Sequence, residues 1–82
     1  MSTNNSLEHT IVKRLSEYRR LSGITQQELA SRIGTKQPVI SEFERMMNSL
    51  TLGFIERVAN ALGVEIKIRI QPGHTDDIYG GS

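Results

Sequence analysis

Lys36, Gln37, Ser41, Glu42 and Arg45 fall along one side of a short stretch, IGTKQPVISEFER, whose other side carries Val39, Ile40 and Phe43. The apolar three recur at helical spacing and ask for burial. The polar five offer hydrogen bonds and charge. Lysine and arginine donate, glutamate accepts, and glutamine and serine do both. No aromatic belongs to this face, so it has no platform for stacking the bases of a single strand. Its residue types suit the edges of paired bases and the oxygens of phosphates.

Other chemistry has little to work with. The chain has 82 residues and no cysteine, which excludes disulfides and thiolate metal sites. His9 and His74 sit near opposite ends and form no ligand cluster. No histidine is placed with a serine as a catalytic pair, and no glycine-rich phosphate loop occurs. Asp76 and Asp77 are adjacent, but they lie in a polar tail rather than on an ordered element. The sequence therefore reads as no enzyme, with no cofactor and no metal. No apolar run approaches the roughly 20 residues that span a bilayer. The opening MSTNNS has neither the basic nor the apolar region of a signal peptide. A soluble, cytoplasmic protein is expected.

Net charge is only +1, but it is unevenly placed. Residues 11–45 carry Lys13, Arg14, Arg19, Arg20, Arg32, Lys36 and Arg45 against Glu17, Glu28, Glu42 and Glu44. Such a local excess of cations suits phosphates, although a charged helix face is also commonly just solvated.

The elements that must position these residues can be read from spacing. Leu7, Ile11, Leu15, Tyr18 and Leu21 recur at steps of four and three, which marks a first amphipathic helix. Gly23 ends it, and Ile24 folds back as the apolar contact of a glycine cap. Thr25-Gln26-Gln27-Glu28 reads as a capping box, with the Thr25 hydroxyl accepting from the Glu28 amide and the Glu28 carboxylate reaching back. The second helix runs through Ile33, with Leu29, Ala30 and Ile33 inward. Gly34 supplies a left-handed turn. A third helix is expected from about Gln37 to Met46, with Pro38 tolerated only in its first turn. After a loop over residues 47–50, Thr51 caps a fourth helix with Leu52, Ile55, Val58, Ala59 and Leu62 inward, and Gly63 ends it. The period then changes. Val64-Glu65-Ile66-Lys67-Ile68-Arg69-Ile70 alternates strictly, as a half-buried strand does. The expected organisation is thus a disordered 1–6, a helical domain 7–63, a strand 64–70 and a flexible tail 71–82.

A capped helix, a glycine turn and a second helix make a helix-turn-helix. A protruding helix about 10–12 Å across fits the major groove of B-DNA, about 12 Å wide. The stretch LSEYRRLSGITQQELASRIGTKQPVISEFER resembles the lambda-repressor-like (Xre/Cro) helix-turn-helix family, whose motif runs Thr-Gln-x-Glu-Leu-Ala-x-x-x-Gly, then x-x-x-x-x-Ile-Ser-x-x-Glu. Thr25, Gln26, Glu28, Leu29, Ala30, Gly34, Ile40, Ser41 and Glu44 match it, and LTLGFIERVANALGV is similar to the family's fourth helix. The resemblance covers residues 11–64. It implies a mostly α, four-helix domain and a sequence-specific regulator of transcription that binds double-stranded DNA.

The resemblance also implies roles. Gln26, at a helix N-terminus, would hold a phosphate; helix ends favour anions. Lys36 and Gln37 would reach bases or the adjoining backbone, with Pro38 beside them in the first turn. Ser41 and Glu42, one turn on, would contact bases, and Arg45 a phosphate. Arg19 and Glu44 match a pair that ties the first helix to the third. Plainer readings stand beside these: Gln26 as a member of the capping box, Lys36, Gln37 and Glu42 as solvated residues, Pro38 as a helix starter. The chain departs from the family at Lys36, where Ser or Thr is usual and Thr35 could substitute as the cap. It departs again at Met46, in place of Gly, and at Leu50, in place of Pro. Met46, Met47 and Leu50 make that loop apolar, either as core filler or as a surface for a partner.

Many relatives end in a fifth helix that forms the dimer, whereas this chain has VEIKIRI. One isolated strand is not stable in water, and its unpaired edge seeks another chain. A second copy is the expected partner, with Val64, Ile66, Ile68 and Ile70 on one face. Antiparallel pairing about Lys67 sets Glu65 opposite Arg69; pairing about Ile66 sets Glu65 opposite Lys67. A homodimer would present two reading helices about 34–36 Å apart to a pseudo-palindromic operator. A four-helix domain with a terminal strand and short tail is similar to antitoxins of the HigA and HipB kinds, which implies a toxin protein as a possible partner. Ile78 and Tyr79 are the large apolar groups of the tail; they could dock there or simply be disordered, and the plainer reading is disorder. The alternatives are a phage or restriction–modification controller, and an interaction module of the same fold without operator binding.

Overall fold

Capping chemistry sets the bounds of the helices. The computed structural model describes residues 7–47 and 50–73. It contains α1 (Leu7–Leu21), α2 (Gln26–Ile33), α3 (Gln37–Glu44) and α4 (Leu52–Leu62). The expectations for residues 1–6 and for the tail from His74 onward, including Asp76, Asp77, Ile78 and Tyr79, lie outside the described residues. Thr25 starts α2 by accepting from the Glu28 amide at 3.0 Å. Thr51 starts α4 by accepting from the Phe54 amide at 3.1 Å. Each supplies an acceptor for one of the amides that a helix start leaves unpaired.

All four helices end in the same way. The amide just after a left-handed residue donates to a carbonyl five residues back: Ile24 to Arg19, Thr35 to Ala30, Met47 to Glu42 and Val64 to Ala59. This arrangement needs a left-handed residue between them. Gly34 supplies it at φ 87° for α2. For α3 the position is held by Met46 at φ 55°. A side chain there costs about 1–2 kcal/mol relative to glycine, partly offset because Met46 is half-buried against the core.

The core draws on all four helices: Val12 and Leu15, Leu29 and Ala30, Ile40 and Phe43, then Ile55, Val58, Ala59 and Leu62. Ile40 is wholly buried and fastens α3 to the domain. Phe43 and Phe54 meet edge to face with centroids 5.2 Å apart, which locks α3 against α4.

Several expectations need correction. The buried face of α1 is Val12, Leu15, Ser16 and Arg19, not the full apolar stripe. Leu7, Tyr18 and Leu21 are exposed. The helix is rotated so that Arg19 can enter the interior, and the apolar stripe is left as the wall of a groove. Leu52 is exposed as well, because the first residue of α4 lies beyond the core. The capping box is half made, since the Glu28 carboxylate turns to Arg32 at 3.0 Å. Lys36 is the N-cap residue of α3, and no side-chain cap is made there; Thr35 does not take that place. Finally, α3 stops at Glu44, because Arg45 and Met46 already form its terminal turn.

Residues 64–70 follow α4 without helix, and no strand pairs with them among the described residues. Val64 and Ile66 rest half-buried against the core while Glu65 and Lys67 face out. Ile68 and Ile70 are exposed. With Leu7, Ile11, Leu15 and Tyr18, residues 64–69 line an apolar groove of about 470 Å³.

Candidate nucleic-acid interface

The first turn of α3 stands clear of the domain. Lys36, Gln37, Pro38 and Val39 are all exposed, and Ile40 behind them is buried; Val39, expected on the buried side with Ile40 and Phe43, instead turns outward with the first turn. Pro38 sits at the second helical position, where the amide it lacks has no helical partner. Ser41 is half-buried and Glu42 exposed. From Gln37 to Glu42 the helix rises about 7.5 Å, so these side chains form one short ridge. Arg45 is exposed at the C-terminal cap.

Gln37 is held from below. Its Nε2 donates to Gln26 Oε1 at 2.7 Å. Gln26, half-buried at the first position of α2, donates from its own Nε2 to Glu44 Oε1 at 2.9 Å. Glu44 is gripped by Arg19, whose Nε and Nη2 donate to its two oxygens at 2.6 and 3.1 Å. Arg19 Nη1 donates to the Ile24 carbonyl at 2.8 Å. A chain of hydrogen bonds therefore runs from the interior to the exposed ridge, joining α1, α2 and α3. Among the described residues, no buried side-chain nitrogen or oxygen is left without a partner.

The Arg19–Glu44 pair is nearly closed to solvent, at 10% and 8% side-chain exposure. Burial pushes the Glu44 carboxyl up. Hydrogen bonds from Arg19, Gln26 and Ser16, with the charge of Arg19, outweigh that and hold it below the ordinary glutamate value. Because the folded value is the lower one, the stabilisation is fully present above the usual glutamate range, near pH 4.3. It is lost as pH falls below that range.

Two arginines were not marked by any local signal. Arg32 Nη1 donates to the Ala61 carbonyl in the last turn of α4 at 3.0 Å. Arg57 Nη2 donates to the Ile33 carbonyl at the end of α2 at 2.7 Å. Each helix thus satisfies a terminal carbonyl of the other, and the angle at which α2 supports α3 is fixed. The contacts span 29 and 24 residues. The one hint in the sequence is an arginine on the outer face of each helix.

The ridge and its hydrogen-bonded base define the class: a helix-turn-helix whose second helix is presented outward. The helix-turn-helix family matches residues 15–68, and the chain belongs to that family, in its lambda-repressor-like (Xre) form. It is also 35% identical over 65 residues to an uncharacterised HTH-type transcriptional regulator of Methanothermobacter thermautotrophicus, covering 79% of this chain and 83% of the relative. Among the described residues no helix is long and apolar enough to cross a membrane.

Proposed function

We propose that the chain is a transcriptional repressor that binds a specific site in duplex DNA as a twofold dimer. The observation that carries this is the exposed first turn of α3 with Gln37 fixed through Gln26 to Glu44. The amide of Gln37 uses one N–H on Gln26 and keeps a second N–H and its carbonyl oxygen. That donor and acceptor are what N7 and N6 of adenine require in the major groove. Gln37 is positioned before DNA arrives, so little side-chain entropy is lost on contact. Lys36, Ser41 and Glu42 lie along the same ridge as further base or backbone contacts, and Pro38 and Val39 offer apolar surface to a thymine methyl. Gln26 and Arg45 flank the ridge as phosphate contacts.

The apolar groove beside Ile66 and Ile68 supports the second copy. Monomers rarely leave such a surface open next to an unpaired backbone edge. Pairing of residues 64–70 with their twofold mate would cover Ile68 and Ile70. The name of the archaeal relative supports a regulatory role. Within that role an autoregulating antitoxin is the finer reading, and a toxin encoded beside this gene is its test.

The primary experiment is a binding titration with duplex DNA from upstream of the gene and with a scrambled duplex of equal length. The upstream duplex is expected to bind at least about 10³-fold more tightly at moderate salt. Equal affinity for the two removes sequence recognition. A chain that binds neither, while still folded, is an interaction module instead.

A further inference from the structure

We infer that the cleft between α1 and the end of α3 is a second DNA contact, which holds the phosphodiester backbone beside the base-reading ridge. This rests on the DNA-binding reading above and extends it from Arg45, already placed there at a phosphate, to Lys13, Ser16 and Arg20 of α1, which have no role in it. The cleft has a volume of about 300 Å³ and is lined by residues of α1, among them His9, Lys13, Ser16 and Arg20, and by Glu44, Arg45 and Met46. Residues 9, 13, 16 and 20 follow one another at steps of four, three and four. They therefore form a single stripe along α1, separate from the apolar stripe that walls the groove.

Three cations share this cleft. Among the described residues, none of Lys13, Arg20 and Arg45 forms an ion pair. Arg20 Nη1 donates to the Ser16 hydroxyl at 2.7 Å. That partner is neutral, so the guanidinium is oriented and keeps its charge. The one carboxylate on the wall, Glu44, is 8% exposed and already held by Arg19 and Gln26. Its charge is met from within, and the cleft presents net positive charge outward.

Position selects the ligand. Arg45 closes α3, so the cleft continues directly from the ridge that carries Gln37 and Glu42. From Lys13 to Arg20 the stripe spans about 10 Å. A DNA strand flanking the groove presents a phosphate about every 3.4 Å along the axis, which meets a stripe of that length more than once. Glu44, which holds Gln26 and through it Gln37, is itself part of the wall of the cleft, so the cleft and the support of Gln37 meet at this residue. Docking of the backbone here would hold α3 in register in the groove.

The test compares wild type, Lys13→Gln, the double variant Lys13→Gln/Arg20→Gln, and Lys13→Arg on the upstream and scrambled duplexes, from 50 to 200 mM salt. The double variant is expected to lose affinity for both duplexes by the same factor, on the order of 10-fold. Its plot of log affinity against log salt should flatten by about 0.9 per phosphate contact removed. Lys13→Gln alone should show one contact's share, and Lys13→Arg should match wild type. Since Lys13 is exposed and makes no hydrogen bond or ion pair among the described residues, its single variant separates a lost phosphate contact from a disturbed fold. Unchanged slopes in both glutamine variants overturn the inference and leave the DNA-binding reading intact. So does a loss confined to the upstream duplex, since a phosphate contact carries no sequence information. If the folded wild type binds neither duplex, the DNA-binding reading fails and this inference fails with it.

Discussion

At the scale of single residues, the account turns on Arg19 and Glu44. Both are closed to solvent, and each satisfies the other's charge. Removing one partner of such a pair leaves a buried charge alone, which typically costs about 3–5 kcal/mol. Arg19→Ala is therefore expected to leave the domain largely unfolded at 37 °C by thermal melting, given the few kcal/mol that a chain of this size holds. A melting curve close to wild type would mean that the pair is weak and does not anchor the ridge. The exposed ridge itself was legible in the sequence, because Lys36, Gln37 and Glu42 alternate with Ile40 and Phe43 at helical spacing. The support beneath it was not. Gln37 meets Gln26 across 11 residues, and Gln26 meets Glu44 across 18. Periodicity speaks only to neighbours within two turns. The burial of Arg19 was hidden for the same reason, since an arginine gives no local sign that a glutamate 25 residues on will receive it.

At the scale of elements, turn chemistry was the most legible part. Thr25, Gly34, Thr51 and Gly63 mark helix bounds through the backbone geometry each permits, and the helices start and stop there. The rotation of α1 was less legible. Its apolar residues are real, but they serve two surfaces: Leu15 faces the core, and Leu7 and Tyr18 face the groove. A stripe read as one face is misassigned when part of it lines a groove instead of the core. The turn between α2 and α3 gives a clean test. Gly34 has φ 87°, and a Cβ built there meets no atom within 4 Å. The cost of Gly34→Ala is then backbone strain alone, about 1–2 kcal/mol. The melting temperature should drop by about 4–8 °C per kcal/mol for a domain of this size. Gly34→Asn should recover part of that loss, because asparagine tolerates the left-handed region. No drop in either variant would show that this turn is not held in the geometry described.

At the scale of the whole molecule, one chain leaves unfinished surfaces. Ile70 is 92% exposed and Ile68 49%, beside an apolar groove and an unpaired segment. The proposed second copy would cover all three, and it would double the number of α3 helices offered to DNA. Ile68→Lys places a charge on the proposed dimer face while leaving the described core untouched. It is expected to give a folded monomer by light scattering and circular dichroism, with operator affinity reduced along with the dimer. A dimer of unchanged stability would place the interface elsewhere. The alternating pattern of VEIKIRI reads as a strand, yet among the described residues nothing pairs with it, and an intermolecular pairing lies in no single chain's contacts.

The claim that α3 reads base pairs is tested most directly by Gln37→Ala in the paired titration on upstream and scrambled duplexes. The variant should bind the upstream duplex more weakly by about 1–3 kcal/mol, a factor of roughly 5 to 150, and the scrambled duplex as wild type does. An equal loss on both duplexes, or no loss on either, would contradict base reading by this helix.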